Sequence, residues 1–277
     1  MNRRYLVIAL GTLVAAVFVF IVMSDRGVAP PPEIPLPESM AAIGDSITQA
    51  VAVNEEALGG AAEHSWATGS DAGDEITSHY ERLVAARPQI TGHVFNNSIP
   101  GAKMADALAQ VEVTVTQDPD YVVFLMGGND VCTADAASMT SPVDFESQFK
   151  EAVDRLTGGL PDSAIYVASI PDLHHLWEVE SGNLVASTIW ANVGVCQAVL
   201  SDNEDDREQA QERNAEFNEI LERVCGVYPQ CRFDAYAVYD YKFSSDEVGP
   251  LDHFHPSEEG QASLAEVTWE NGYWPEI

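Results

Sequence analysis

Basic residues are scarce in this chain. Thirteen Lys and Arg stand against 44 Asp and Glu, for a formal net charge of −31 over 277 residues. Lysine occurs only at Lys103, Lys150 and Lys242. Phosphate neutralisation needs Lys and Arg, so nucleic acid is excluded as a partner. Cysteine is sparing too, at four residues with no C-x-x-C, and that spacing does not make a zinc site. No glycine-rich phosphate loop, no Gly-x-Ser-x-Gly elbow and no internal repeat is present. Apolar residues are not lacking. They make up 46% of the chain, enough for a sizeable core. The length suits one large α/β domain with a terminal appendage, or two small domains.

The apolar residues are unevenly spread. Arg3 and Arg4 precede an uncharged run, Tyr5 to Met23, of 19 residues. As a helix this run would span about 28 Å, close to the thickness of the hydrocarbon layer. The paired arginines favour a cytoplasmic N-terminus. An uncleaved membrane anchor is the expectation, and a cleaved signal peptide is the rival reading. Pro-rich sequence follows from Ala29 to Pro37 and reads as a stiff spacer. Everything beyond is then exported, and the four cysteines are expected to pair. Four cysteines allow three connectivities. Cys225 and Cys231 are near enough to close a short loop, which leaves Cys132 with Cys196.

From Glu38 onward, short apolar runs alternate with helical patterns. Buried strands are predicted at Met40–Gly44, His93–Asn96, Tyr121–Met126, Ala164–Ile170 and Arg232–Val238. Helices are predicted at roughly Asp74–Ala86, Ala102–Thr116, Pro142–Thr157, Arg207–Val224 and Pro256–Trp269. Such alternation implies a parallel sheet covered by helices on both faces. In these sheets, sites form beyond the carboxyl ends of the strands.

Four loops at such positions carry candidate chemistry. Gly44-Asp45-Ser46 follows the first strand, where a helix N-terminus could activate a serine. Taken alone, Ser46 is equally a nucleophile or an N-cap. Asn97-Ser98-Ile99-Pro100-Gly101 follows the second strand; its glycine permits close backbone approach to a substrate, or makes an ordinary turn. The sequon Asn96-Asn97-Ser98 sits at a strand end, where glycosylation is not expected. Gly127-Gly128-Asn129-Asp130 can aim an amide at a developing oxyanion, or simply form a turn. In Asp252-His253-Phe254-His255, Asp252 can orient His255 and leave the other ring nitrogen free as a base. His253 reads as a packing or solvent-facing residue.

Two other signals carry less. Ser147-x-x-Lys150 and Ser201-Asp202-Asn203 imitate penicillin-binding motifs, but no Lys-Thr-Gly follows. His174 and His175 with Asp172 could suggest a metal, but adjacent side chains diverge, and none is expected.

Taken together, the four blocks resemble the SGNH (GDSL-type) hydrolases over roughly residues 40–265. Ser65–Gly69, Ser78-His79-Tyr80 and Asn129–Cys132 are similar to the phospholipase B-like branch. The resemblance implies a flavodoxin-like three-layer α/β/α fold with a central, mainly parallel five-stranded sheet. It implies Ser46 as nucleophile, His255 as base and Asp252 as the orienting acid. The oxyanion hole would comprise the N–H groups of Ser46 and Gly101 and the Asn129 side chain, with Asp45 and Asp130 in support. No cofactor or metal is implied. The expected organisation is a signal anchor or signal peptide at 1–26, a linker at 27–38 and the hydrolase domain at 39–277. The long segment from Pro171 to Asp205 is read as a lid, an acyl-binding wall or plain core cover. Lipid or other small acyl esters are the expected substrates, with O-acetylated surface carbohydrate as the alternative and a non-catalytic surface-binding module as a further reading. The expected location is the cell membrane, with the catalytic domain outside the cytoplasm, or the exterior after signal cleavage as the alternative.

Overall fold

The computed structural model describes residues 34–277 apart from 57 and 58. The expected anchor at 1–26 and most of the 27–38 linker lie outside these residues. Among the described residues, no helix is long and apolar enough to cross a membrane. Residues 34–277 form one compact unit.

Fifteen helices and strands follow in chain order: β1 (Met40–Gly44), α1 (His79–Ala86), β2 (Val94–Asn96), α2 (Ala107–Gln117), β3 (Tyr121–Leu125), α3 (Gly128–Val131), α4 (Pro142–Gly159), β4 (Ala164–Val167), α5 (Leu173–Glu180), α6 (Leu184–Val193), α7 (Gln197–Leu200), α8 (Glu204–Cys225), β5 (Cys231–Phe233), α9 (Ala237–Asp240) and α10 (Glu258–Glu270). The sheet has the order β2-β1-β3-β4-β5 and every pairing is parallel. Alternate residues of each strand feed opposite cores. Val122 and Phe124 of β3 join the core under α2, α4 and α8, whereas Tyr121, Val123 and Leu125 join the core under α1 and α10. Both faces are dry, so the strands read as unbroken apolar runs. The chain runs outward from β1 in both directions, and the crevice between the ends of β1 and β3 is the switch point of such a sheet.

Several element ends depart from the predicted ones for local reasons. α1 begins at His79, later than expected, because Ser78 and Glu81 form a reciprocal capping box. α2 is entered through a 3₁₀ turn at Met104–Asp106 and stops where Asp118 turns left-handed. The last strand ends at Phe233, five residues short of the expected end. Asp234 there is buried and accepts the N–H groups of Ser169, Tyr236 and Val238, and Ala235 and Tyr236 have positive φ. Ser46 is not followed by a regular helix, contrary to expectation. One helical turn forms, with Gln49 N–H donating to Asp45, and the chain then breaks at Ala50 and Ala52 with positive φ.

The cysteines are bonded as Cys132–Cys196 and Cys225–Cys231. The first bond ties the loop after β3 to the segment after β4. That segment, read from sequence as a lid or cover, is the three-helix strap α5–α6–α7. Among its buried side chains, Leu173, Ala186 and Trp190 belong to the core shared with α8.

Candidate active site

Gly44 closes β1 with its backbone locked at both ends. Its N–H donates to Gln110 Oε1 and its carbonyl accepts from Gln110 Nε2, each at 2.9 Å. A Cβ at this position would lie 2.4 Å from Thr48 Oγ1 and 2.8 Å from the Leu125 carbonyl, so only glycine lets the next turn fold over the strand end. That turn holds Ser46 at the mouth of a pocket of ≈290 Å³, with Gly101, Asn129, Asp252 and His255 around it.

The histidine comes from the other end of the chain. His255 Nε2 lies 2.7 Å from Ser46 Oγ, and His255 Nδ1 lies 2.6 Å from Asp252 Oδ2. The second Asp252 oxygen accepts the backbone N–H groups of Phe254 and His255, both at 3.0 Å. Burial pushes the Asp252 carboxyl upward. The His255 hydrogen bond and the two backbone donors outweigh that push and hold it below the usual carboxylate range. An ionised Asp252 only accepts, so His255 must carry its proton on Nδ1, and its Nε2 is left to accept the serine hydroxyl.

The groups expected around an oxyanion converge on the same mouth. Gly101 has φ +80° in the turn closed by Ala102 N–H on the Ile99 carbonyl. Among the described residues, the N–H groups of Ser46 and Gly101 have no acceptor, so both can serve a substrate oxygen. Asn129 Nδ2 donates to the Ala102 carbonyl at 3.0 Å and approaches Asp45 Oδ2 at 3.4 Å. An incoming oxyanion competes with the longer contact, the weaker of the two. Gly127, with φ +127°, sets the approach to Asn129; a Cβ there would strike Ile170 Cδ1 at 2.5 Å.

Asp45 and Asp130 both stand behind this arrangement. Asp130 is fully buried and accepts Met104 N–H at 2.8 Å and Thr140 Oγ at 2.7 Å, which ties the Gly101 loop to the Asn129 loop. Burial raises its carboxyl above the ordinary range. Asp45 accepts Ile47 N–H at 3.0 Å, and burial pushes its carboxyl up to about 6.

Sequence reasoning missed the partner of His253. This residue has φ +53°, and its Nδ1 lies 3.0 Å from Glu180 Oε2. Glu180 is only 3% exposed and also accepts Asn183 Nδ2 at 3.0 Å. Trp190 Nε1 donates to the His253 carbonyl at 3.1 Å. The strap therefore holds the turn that carries Asp252 and His255. No local signal in the sequence pointed to this pair. The Gln110 clamp on Gly44 had no signal beyond a polar residue on an apolar helix face.

The other flagged residues lie elsewhere. His174 and His175 sit on α5; His175 Nδ1 meets Glu178, and its Nε2–H donates to the Phe243 carbonyl 3.0 Å away. Asn96 is half-buried and spends its amide on the Thr48 carbonyl and Thr68 Oγ1. Ser147 and Lys150 lie within α4, apart from Ser201. His79 is buried among Trp66, Tyr121 and Trp269; burial lowers it to about 3, and it serves the core as a neutral ring.

Residues 42–262 match the GDSL-like lipase/acylhydrolase family. Mouse acyloxyacyl hydrolase is 24% identical over 193 residues, covering 57% of this chain and 33% of that protein. Rat membrane-associated phospholipase B1 is 27% identical over 139 residues, covering 45% of this chain and 10% of the relative. The chain thus spans a third or less of these relatives. An alpha/beta hydrolase enzyme from the metagenome of Lake Arreo, Spain, superposes with a TM-score of 0.55 at 18% identity, over 84% of this chain and 94% of its own. A mutant acetyl-xylooligosaccharide esterase from Geobacillus Stearmophilus gives 0.55 at 17% identity, over 86% and 95%. These last two share the fold. With the family match running from β1 into α10, the chain belongs to the GDSL-like lipase/acylhydrolase family.

Proposed function

We propose that the chain cleaves lipid or other small acyl esters through an acyl-enzyme formed on Ser46. The observation that carries this reading is the unbroken path from Ser46 Oγ through His255 to Asp252, with links of 2.7 and 2.6 Å. Ser46 attacks the ester carbonyl as His255 Nε2 takes its proton. Asp252 stabilises the imidazolium that results. The N–H groups of Ser46 and Gly101 and the Asn129 amide receive the oxyanion. His255 then returns the proton to the departing alcohol, and water repeats the sequence to release the acid.

The lipid preference rests on two supports. The relatives are named for acyloxyacyl and phospholipid substrates. An apolar recess of ≈70 Å³, bounded by Leu173, Leu176, Val179 and Phe243, adjoins His255 and suits a short hydrocarbon segment. The proposed setting is the outer side of a cell membrane. The uncharged run Tyr5 to Met23 would supply the anchor. The two disulfides suit an oxidising compartment.

A p-nitrophenyl ester series from acetate to long acyl chains tests the reading. Turnover should fall on the order of 10²–10³ in kcat for Asn129→Ala with little change in KM. Preference for acetate alone would favour the carbohydrate O-acetyl esterase alternative. Unaltered kcat in Asn129→Ala would remove that residue from the site.

A further inference from the structure

The strap carries an apolar surface that the ester-hydrolysis mechanism does not use. From Ser181 to Ser201 the chain has no charged side chain, in a protein of net charge −31. α6 buries Ala186 and Trp190, the latter bonded to the catalytic turn, and turns Leu184, Val185 and Val193 outward. These are 82%, 59% and 71% exposed. Directly after α6, Val195 and Cys196 line the pocket that holds Ser46. Across the same mouth, Pro100 lines the pocket and its neighbour Ile99 is 53% exposed. Of the eight large hydrophobic side chains exposed among the described residues, three lie on α6 and a fourth, Ile99, adjoins the pocket-lining Pro100. An apolar collar at a catalytic mouth is a costly feature on a soluble surface and marks a contact site.

We propose that this collar seats the active site on aggregated zwitterionic lipid, so that an ester passes from the aggregate to Ser46 without crossing water. The proposal rests on the ester-hydrolase reading above. Charge selects the occupant. An anionic bilayer would repel a domain this acidic, whereas a zwitterionic interface offers neutral headgroups to an uncharged helix face and hydrocarbon to Leu184, Val185 and Val193. A second copy of this chain is the competing occupant, and its own acidity opposes it.

The test compares the full chain with a triple variant, Leu184→Gln, Val185→Gln, Val193→Gln. All three positions are exposed, and glutamine keeps the helix propensity. Both proteins carry the same N-terminal segment, so any difference between them reports on α6. Hydrolysis of dihexanoylphosphatidylcholine is followed below and above its critical micelle concentration, alongside p-nitrophenyl acetate. The full chain should accelerate when micelles form. The variant should lose roughly 100-fold in affinity for micelles while p-nitrophenyl acetate turnover stays the same. Pelleting with phosphatidylcholine vesicles should show the same ranking, and added phosphatidylglycerol should weaken it. Equal micellar kinetics in the two proteins would overturn the proposal. So would a variant that changes only from dimer to monomer, since a second copy would then own the face. Absence of p-nitrophenyl acetate turnover in the full chain would instead strike the ester-hydrolase reading, a separate failure.

Discussion

Two carboxylate–histidine pairs sit two residues apart on one turn. In the first, Asp252 holds His255 at 2.6 Å, and the far ring nitrogen meets Ser46. In the second, Glu180 holds His253 at 3.0 Å, and the contact belongs to the strap. The chemistry of the partners is nearly the same, so pairing alone does not define a catalytic histidine. What differs is the geometry on each side. Asp252 lies on the same turn as its histidine and is fixed by two backbone N–H groups, so the first pair is built locally and aims outward. Glu180 comes from α5, and left-handed backbone at His253 turns its ring toward the strap. The second pair fastens the turn; the first uses it.

Substitutions should separate the two pairs. The largest effect is expected from His255→Ala, which should lower kcat by on the order of 10⁴–10⁶ with folding intact. Steady-state turnover with a circular dichroism control checks it. Asp252→Asn should cost about 10⁴ in kcat, because an amide facing Nδ1 favours the wrong tautomer. A small loss at Asp252 with a large one at Glu180 would reverse the assignment of the pairs.

Removing the covalent hold on the strap sharpens the contrast. The bond between Cys132 and Cys196 spans a sequence separation of 64, and replacing both by serine should lower stability by about 4 kcal/mol in the chain-entropy model. Chemical denaturation measures this. The strap would still be tied to the turn by His253–Glu180 and by Trp190 Nε1 on the His253 carbonyl, and the cost of breaking these contacts should grow.

Asp45 provides a carboxyl with no histidine bonded to it. Its folded value of about 6 is above the ordinary 3.8, because burial disfavours the carboxylate. Protonated Asp45 thus contributes stability below pH 3.8, and that contribution is lost as pH rises through about 6. Asp45→Asn should therefore stabilise the protein above that range, by up to about 3 kcal/mol, and change little in acid. Melting temperatures across the pH range decide it. The smallest effect is expected from His253→Ala, roughly 10-fold in kcat through a loosened turn. A loss as large as that of His255→Ala would mean that the second pair takes part in the chemistry.

Much of this was legible in the sequence because three of the site's loops directly follow strands and the fourth is an Asp-x-x-His turn just before α10. Ser46, Gly101, Asn129 and His255 each stand in a short motif, and the sheet order brings the ends of β1, β2 and β3 together. Strand positions were legible because strands buried on both faces are continuous apolar runs. The ends were not, since they depend on side chains acting at a distance or on backbone sign. Phe233 ends β5 because Asp234 gathers three N–H groups, and Ser46 lacks a following helix because Ala50 and Ala52 adopt positive φ without any glycine to announce it. Long-range polar clamps were also hidden. Gln110 lies 66 residues from Gly44, and Glu180 lies 73 residues from His253. Nothing local marks either pair.

The central claim is that Ser46 is the nucleophile and His255 is its base. A fluorophosphonate probe reacts with a serine hydroxyl only when a base activates it, and peptide mass spectrometry locates the adduct. The account predicts one modified residue, Ser46, in the full chain. It predicts strongly slowed labelling in His255→Ala and labelling near the native rate in His253→Ala. An adduct on any other serine, or undiminished labelling of Ser46 in His255→Ala, would contradict it.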